Sequence, residues 1–202
     1  MNSDKKSNLT HRVLKYSDVE WVTELAKQQV NHMGFNKDDV GFDDTMDTKE
    51  YWEDWIIGEN KKTYATFKDG KFACLSSCYY WGLMPYATRK NAISAPGLGF
   101  AVRSIFPNHE KYCFDQIFDE GRVKIYMASN YDMYDYVTHP KRRIVFENFN
   151  KLMGETWTHC IEEIIEPGHM TKWKGFQSLT GYKTWPEKIM IKSWTHKDYG
   201  IH

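Results

Sequence analysis

Three glutamates around position 163 are the residues of this sequence best suited to acid–base chemistry. Glu162 and Glu163 are adjacent within an apolar run that predicts a strand, and Glu166 follows that run. Because successive side chains of a strand point to opposite faces, one of the adjacent pair would face a central cleft, and we take Glu163 as a general base toward an amine. The alternative is a pair of charges at a sheet edge that face water, where most glutamates lie.

The cysteines and histidines form no pattern that is typical of a nucleophile or of a metal site. The four cysteines lie in apolar or strand-like stretches without a Cys-x-x-Cys pair: Cys74, Cys78, Cys113 and Cys160. Apolar surroundings raise the pKa of a thiol and leave it a poor nucleophile. His159 and His169 flank the glutamates, but the eight histidines do not recur at the spacing of metal ligands. We therefore expect no metal ion, no disulfide framework and no covalent catalysis by a cysteine.

Aromatic and basic residues offer candidate binding groups, each with a structural alternative. Tyr79, Tyr80 and Trp81 end a predicted strand and would either line an acceptor pocket or pack in the core. The basic triplet over residues 141–143 begins a predicted helix, where the helix dipole disfavours cations. A bound anion would relieve that mismatch, and solvated side chains are the alternative.

The composition excludes several classes of protein. The 202 residues carry 27 Lys and Arg against 27 Asp and Glu, so broad binding to nucleic-acid phosphates is not expected. Aromatic residues make up 16% of the chain, more than a disordered protein contains. The N-terminal stretch lacks the apolar region of a secretory signal, and no apolar run reaches the ~18 residues that a membrane helix needs. These features predict a soluble, reduced protein of the cytoplasm, or of the host cytoplasm if the gene is viral.

These groups must be positioned by helices and strands that alternate along one domain. After a frayed tail over residues 1–10, apolar periodicity and turn residues predict the order β-α-α-β-β-β-α-β-α-β-β, with the first two helices behind capping boxes at Ser17 and Asp47. The later elements are a hairpin over 63–81 with its turn at Asp69 and Gly70, a loop over 82–96, a strand over 98–106, a helix over 108–120, a strand over 123–128, a helix from Pro140 to Gly154, and strands over 157–165 and 187–194. The predicted fold class is α+β: one domain over 11–202, with a twisted mixed sheet of six to seven strands and helices on both faces.

This order resembles that of the GNAT-type N-acetyltransferases over residues 11–195. In that family the loop after the fourth strand and the N-terminus of the next helix bind the pyrophosphate of acetyl-CoA through backbone N–H groups. The resemblance implies cofactor contacts at Val102, Arg103 and Ser104, as strand residues whose backbone N–H groups lie beside the thioester carbonyl. The corresponding stretch over 104–112 lacks the family's glycines and carries Glu110 where the phosphates would lie, so Arg103 and Lys111 would supply the positive charge.

Two more stretches are similar to GNAT motifs. Residues 126–130 resemble the end of the family's fifth strand, where the chain splays from the fourth and an asparagine often follows, which implies a cofactor contact at Asn130. Residues 149–154 resemble the Tyr-x-x-x-Gly-Phe signature, whose tyrosine often acts as general acid toward the departing thiolate. Asn150 stands at the tyrosine's spacing from Gly154, so the resemblance assigns a catalytic position to Asn150, although an amide cannot donate a proton as a phenol does.

The resemblance implies an N-acyltransferase that uses acetyl-CoA or another acyl-CoA and acts on the amine of a small molecule or protein. The aromatic-rich, motif-poor sequence also resembles GNAT-like proteins of bacteriophages. Two alternatives stay open. A catalytically inactive GNAT-fold protein, acting as a binding or virion component or as a homo-oligomer, is favoured by the missing glycines and tyrosine and by the abundant Trp and Tyr. Modification of nucleic-acid bases on the same fold is favoured only by the basic triplet over 141–143.

Overall fold

The computed structural model describes residues 8–33, 46–95, 102–130, 140–165 and 189–199. Within these ranges the elements follow one another as β1 (Leu9–Val13), α1 (Val19–Met33), α2 (Lys49–Ile57), β2 (Lys61–Lys68), β3 (Lys71–Tyr80), β4 (Tyr86–Ser94), α3 (Val102–Asp119), β5 (Lys124–Asn130), α4 (Pro140–Met153), β6 (Trp157–Ile165) and β7 (Ile189–His196). Short 3-10 turns at Tyr16–Asp18 and Lys197–Tyr199 precede α1 and follow β7. The predicted alternation of helices and strands is therefore confirmed in its order.

The described strands form one seven-stranded mixed sheet in the order β1-β2-β3-β4-β5-β7-β6. Neighbouring strands are antiparallel except for β4 and β5, which are parallel. A parallel pair needs a crossover connection, and α3 supplies it between β4 and β5. The predicted mixed sheet with helices on both faces is confirmed.

Each face of the sheet carries its own apolar core. On one face, α3 and α4 bury Phe114 and Phe149 against Trp194 of β7. On the other, α1 and α2 bury Val22 and Trp52 against Leu75 of β3. Alternate residues of a strand point to opposite faces, except across the register shift between β3 and β4, where Ala87 of β4 packs in the first core and Ile93 in the second.

Local sequence signals account for the hairpin and for the start of α2. Asp69 and Gly70 both have positive φ, at 50° and 77°, which is what a two-residue turn between twisted antiparallel strands requires. The N-terminus of α2 is capped by Thr48, whose hydroxyl accepts a hydrogen bond from the Tyr51 N–H, one residue later than the predicted cap at Asp47.

The predicted strand over 98–106 is wrong in its described part, because Val102 begins helix α3. The fourth strand instead lies over Tyr86–Ser94, within the stretch predicted as a loop. Its polar centre resembles a loop in sequence, but Arg89 is compensated by a carboxylate from α3. Pro107 does not end a strand; it is the sixth residue of α3, where it removes one backbone donor from the helix.

Among the described residues, no helix has both the length and the apolar character needed to span a membrane.

Candidate functional site

The parallel strands β4 and β5 pair over three residues and then diverge. The registered pairs are Tyr86 with Lys124, Ala87 with Ile125, and Thr88 with Tyr126. Beyond them β4 runs on to Ser94 and β5 to Asn130, each still paired with its outer neighbour, β3 or β7. The facing edges of the two strands therefore carry backbone N–H and C=O groups that make no β4–β5 ladder and can bind a ligand. We call this gap the β4–β5 cleft.

The predicted splay of the fourth and fifth strands is confirmed, with a correction on one side. On the β5 side it includes Asn130, the last residue of the strand, as expected. On the β4 side it lies over residues 89–94 and not near 103–106, because the strand itself lies earlier in the chain. Asn130 is in register with Ile189 of β7, at the open end of the cleft.

Seven residues, 95–101, separate the end of β4 from the start of helix α3. Val102, Arg103 and Ser104 form its first turn, so their predicted role as strand residues beside a thioester is wrong. The first four N–H groups of a helix have no partner within the helix, and the dipole there favours an anion. No acidic residue lies in this first turn, and Ser104 is exposed to solvent. A negatively charged ligand fits this end of α3.

The glycines that residues 104–112 lack are present earlier in the sequence, between β4 and α3. Residues 95–101 read APGLGFA, which places Gly97 and Gly99 shortly before the first residue of α3. Residues 96–101 lie outside the described ranges. The Gly-x-Gly pair ahead of a helix was a usable signal, and it was missed because the predicted strand was placed over it.

Glu110 and Lys111 lie far from the start of α3. A rise of 1.5 Å per residue places them about 12 and 14 Å along the helix from Val102. Lys111 forms an i,i+4 ion pair with Asp115 on the solvent side. Glu110 is 2% exposed and faces the sheet, so the expectation that it places negative charge against the phosphates is wrong. Lys111 as a cofactor ligand stays a prediction.

A buried chain of polar side chains, which no sequence signal indicated, connects α3 to four strands. Arg89 of β4 donates to both carboxylate oxygens of Glu110, at 3.1 Å from Nε and 3.0 Å from Nη2. The Ser76 hydroxyl donates to the same carboxylate at 2.7 Å and lies 3.1 Å from His109 Nε2. His109 Nδ1 lies 2.7 Å from the hydroxyl of Thr66.

The hydrogen positions along this series of hydrogen bonds follow from the carboxylate of Glu110, because an ionised carboxylate only accepts hydrogen bonds. Ser76 donates to Glu110, so Ser76 accepts from His109 Nε2–H, and His109 Nδ1 accepts from Thr66. Thr66 in turn accepts from Nδ1–H of His11, at 2.7 Å. Burial lowers the pKa of His109 to about 4 and keeps the ring neutral. Burial opposes the ionisation of Glu110, but the charge of Arg89 and the hydrogen bonds from Arg89 and Ser76 together hold the pKa of Glu110 below its usual value.

A second buried cation, Lys192, lies one strand beyond the cleft. It is on β7, in register with Met127 of β5, and the residue is 7% exposed. Burial, together with the nearby charge of Arg89, lowers the pKa of Lys192 to about 8. Sequence analysis did not single out this residue, because a lysine in a predicted strand is usually solvated.

The two predicted catalytic residues occupy different places in the sheet. Asn150 lies in the last turn of α4, four residues before Gly154, and its buried Oδ1 makes no hydrogen bond with any described group. Glu163 is on β6, in register with Ile191 of β7. Two strand spacings, about 10 Å, separate β6 from β5, so the fold does not bring Glu163 beside the β4–β5 cleft. Both roles stay predictions.

The aromatic residues over 79–81 divide between the two alternatives. Tyr80 is buried, and its hydroxyl lies 2.6 Å from that of Tyr64, in the core. Trp81 stacks on Tyr126 at 5.4 Å between ring centroids, and its indole N–H donates to Thr88. Trp81 thus contacts both members of the last parallel pair, Thr88 and Tyr126, before the cleft opens.

Three of the cysteines are buried thiols in the core, Cys74, Cys78 and Cys113. Burial raises the pKa of each, so none of them is an activated nucleophile. Cys160 has no described side chain. Within the described ranges, no three metal-binding side chains come together.

Neither a protein-family model nor a curated protein matches this sequence. The structure, however, is similar to solved N-acetyltransferases along nearly its whole length. The ribosomal-protein-S5-alanine acetyltransferase from Vibrio fischeri matches with a TM-score of 0.59 and 11% identity, covering 96% of this chain and 99% of that chain. The ribosomal-protein-S18-alanine N-acetyltransferase from Escherichia coli matches at 0.58 and 11%, covering 92% of each chain.

A third similar structure was solved with ligands. The spermidine N-acetyltransferase from Vibrio cholerae, in complex with CoA and spermine, matches with a TM-score of 0.54 and 15% identity, covering 94% of this chain and 96% of that chain. Identities this low establish the fold alone. The chain has the GNAT fold, as the resemblance in its order of elements implied.

Proposed function

We propose that this protein is an N-acyltransferase that transfers an acyl group from an acyl-CoA thioester to an amine. The observation that carries the proposal is the β4–β5 cleft, in which two parallel strands diverge after Thr88 and Tyr126. Similar structures support the donor and the reaction. One is a spermidine N-acetyltransferase with CoA and spermine, and another is an aminoglycoside 6'-N-acetyltransferase with coenzyme A.

The residues at the mouth of the cleft fit a CoA diphosphate. The N-terminal turn of α3 supplies backbone N–H groups at Val102, Arg103 and Ser104 and carries no acidic side chain. Gly97 and Gly99 precede it in the sequence, and glycines let a backbone approach a phosphate closely. Arg103 would add positive charge at this end of the helix. Asn130, at the end of β5, is our candidate for a contact with the rest of the cofactor.

The protein needs to supply few catalytic groups, because the thioester is already activated. A neutral amine attacks the carbonyl carbon, the C–N bond forms, and the C–S bond breaks with its electron pair on sulfur. Backbone N–H groups on the open edge of β4 would stabilise the charge on the carbonyl oxygen. Glu163 remains our candidate base and would act through water, given its place two strands from β5.

The proposal is tested by thermal-shift measurements with acetyl-CoA, free CoA and longer acyl-CoAs, followed by calorimetry. A ligand that binds only the folded state raises the melting temperature by mass action, and we expect a rise of several degrees, on the order of that given by ~100 Kd of ligand. Arg103→Ala should weaken CoA binding, and Lys27→Ala is the control, because Lys27 is on α1 and pairs with Glu24 at the surface. No shift and no heat with any of these thioesters would contradict the proposal.

A second candidate is a partner-binding role without catalysis. It is favoured by the turn between β3 and β4, where Leu83 is fully exposed and Met84 half exposed. Contiguous exposed apolar side chains mark interaction sites, and this turn places two of them side by side. The missing glycines no longer favour this candidate, since Gly97 and Gly99 stand in the sequence before α3. Light scattering separates the two: a monomer that binds CoA supports the enzyme, whereas an oligomer without a CoA response supports the partner-binding protein.

A further inference from the structure

Strand β4 contains a β-bulge immediately beyond the point where it separates from β5. Its last residue paired with β5 is Thr88. From Arg89 to Ala92 the strand advances three residues, whereas the paired segment of β3, from Cys78 to Ser76, advances two. β4 therefore carries one extra residue here, and such a bulge bends a strand and increases its twist.

Side-chain contacts show the same interruption of β4. Lys90 lies over the ring of Trp55 of α2, and Ile93 packs in the core that α1 and α2 cover. Residues three apart on a regular strand point to opposite faces, so Lys90 and Ile93 reach one face because of the extra residue. Backbone groups alternate between the two edges of a strand in the same way. The bulge therefore decides which N–H groups of residues 92–94 face the β4–β5 cleft.

Glu110 of α3 holds this bulge at both of its ends. Its carboxylate accepts from Arg89 at 3.1 and 3.0 Å, at the end nearer the pairing with β5. It also accepts from the Ser76 hydroxyl at 2.7 Å, and Ser76 is in register with Ala92 at the far end. Because an ionised carboxylate has enough lone pairs for all three hydrogen bonds, one buried group fixes both ends of the bulge against α3.

His109 fixes the direction of the Ser76 hydroxyl. Its Nε2–H donates to Ser76 at 3.1 Å, which leaves the hydroxyl proton of Ser76 directed to Glu110. Both Ser76 and His109 are fully buried, and Glu110 is 2% exposed. The hydrogen bonds that set the bulge are therefore shielded from water and in place before any ligand binds.

A fixed backbone at this place matters for the reaction proposed above, because N–H donors stabilise an oxyanion best when they are already in position. We propose that Glu110 is a positioning residue for acyl transfer: by holding the β4 bulge through Arg89 and Ser76, it aims backbone N–H groups of the open β4 edge at the carbonyl oxygen of the thioester. This inference rests on the proposed N-acyltransferase function. Glu110 acts through the strand and makes no contact with the thioester itself.

The test measures the thioester carbonyl of bound acetyl-CoA, so it needs no knowledge of the acceptor amine. Infrared difference spectra of acetyl-CoA with and without an isotopic label at the carbonyl carbon give the carbonyl stretching frequency in the complex. Hydrogen bonds from β4 should lower that frequency in the parent relative to free acetyl-CoA. Ser76→Ala and Arg89→Lys should each lose about half or more of this lowering. Their affinity for free CoA, which has no thioester carbonyl, should stay within about twofold of the parent.

Each variant has a control that makes the same chemical change without contact to Glu110. Ser77→Ala removes a buried hydroxyl that lies 2.8 Å from the hydroxyl of Thr63 of β2. Arg12→Lys replaces the guanidinium of another two-pronged pair, which Arg12 makes with Asp18 at 2.6 and 2.7 Å. Both controls should keep the parental carbonyl frequency. Melting temperatures show whether each variant is folded.

The possible results separate this inference from the proposed function. A loss of the lowering in Ser76→Ala and Arg89→Lys, but not in their controls, supports the inference, and either variant suffices if the other does not fold. A parental frequency in the folded variants, or an equal loss in the controls, shows that the inference is wrong. So does an unshifted carbonyl in the parent complex. In these three cases acetyl-CoA still binds and the proposed function stands. If neither acetyl-CoA nor CoA binds the parent, both are wrong.

Discussion

The guanidinium of Arg89 and the carboxylate of Glu110 form a two-pronged ion pair between β4 and α3, at 3.0 and 3.1 Å. Arg89 comes directly after Thr88, the last β4 residue that pairs with β5. The ion pair therefore ties the strand, at the point where it leaves its neighbour, to the helix whose first turn we propose as the phosphate site. Ser76 of β3 donates to Glu110, and His109 of α3 donates in turn to Ser76.

Breaking this pair should cost far more stability than breaking an exposed one. Glu110→Gln leaves the Arg89 charge buried without compensation, which we expect to lower the free energy of unfolding by about 3–5 kcal/mol. The matched control is Asp115→Asn, which breaks the solvent-facing pair with Lys111 on the same helix and should change stability by less than about 1 kcal/mol. Urea denaturation measures both. Equal losses of unfolding free energy in the two variants would contradict the expectation that the buried pair stabilises the fold more than the exposed one.

Acid should destabilise the protein in a window set by His109. Its folded pKa of about 4 lies below the ordinary value of 6.5, so the unfolded chain binds the proton first as the pH falls. Stability is therefore full above about pH 6.5 and falls by up to about 3 kcal/mol as the pH approaches 4. Unfolding free energies measured at intervals across that window should show the slope in the parent and a reduced slope in His109→Gln. His11→Gln is the comparison and should reduce the slope by less, because burial also lowers the pKa of His11 but leaves the ring partly exposed. An unchanged slope in His109→Gln would contradict this assignment.

Glycine substitutions should separate cofactor binding from folding. Gly99→Val adds a side chain where the proposed pyrophosphate loop must approach a phosphate, so CoA affinity should fall at least tenfold, about 1.4 kcal/mol, with little change in melting temperature. Gly70→Ala is the reverse case, because its φ of 77° strains any residue with a Cβ. It should lower the melting temperature and leave CoA affinity unchanged. Calorimetry with CoA reads the first effect and thermal unfolding reads the second. Parent-like CoA binding in Gly99→Val would remove this segment from the site.

Asn150 offers a way to distinguish a functional role from a structural one. Its buried Oδ1 makes no hydrogen bond with any described group, so Asn150→Leu should be neutral or stabilise the fold by up to about 1 kcal/mol. If Asn150 contacts the substrate, the same variant should lower the rate of acyl transfer. A stabilised variant with parental activity would exclude a catalytic role for this residue.

The elements that could be predicted from sequence are those whose signals are local. The Asp69-Gly70 turn, the strand Trp157–Ile165 and the helix that begins at Pro140 depend on neighbours in the chain, and each lies where it was predicted. The fourth strand was missed because the partner that stabilises Arg89 stands 21 residues away, on α3. The polar side chains that support the site could not be predicted for the same reason. Thr66 and His109 are 43 residues apart, and nothing in either segment indicates that the fold brings them to 2.7 Å.

Hydrogen–deuterium exchange of the backbone amides, with and without acetyl-CoA, tests the central claim most directly. Binding in the β4–β5 cleft should slow exchange in peptides that cover residues 89–94 of β4, 127–130 of β5 and the first turn of α3, because ligand groups would pair with amides that the sheet leaves open. Peptides from the β1–β2 edge of the sheet should exchange as before. Saturating acetyl-CoA that leaves all three regions unchanged, or that protects only a distant part of the chain, would contradict the assignment of this cleft as the acyl-CoA site.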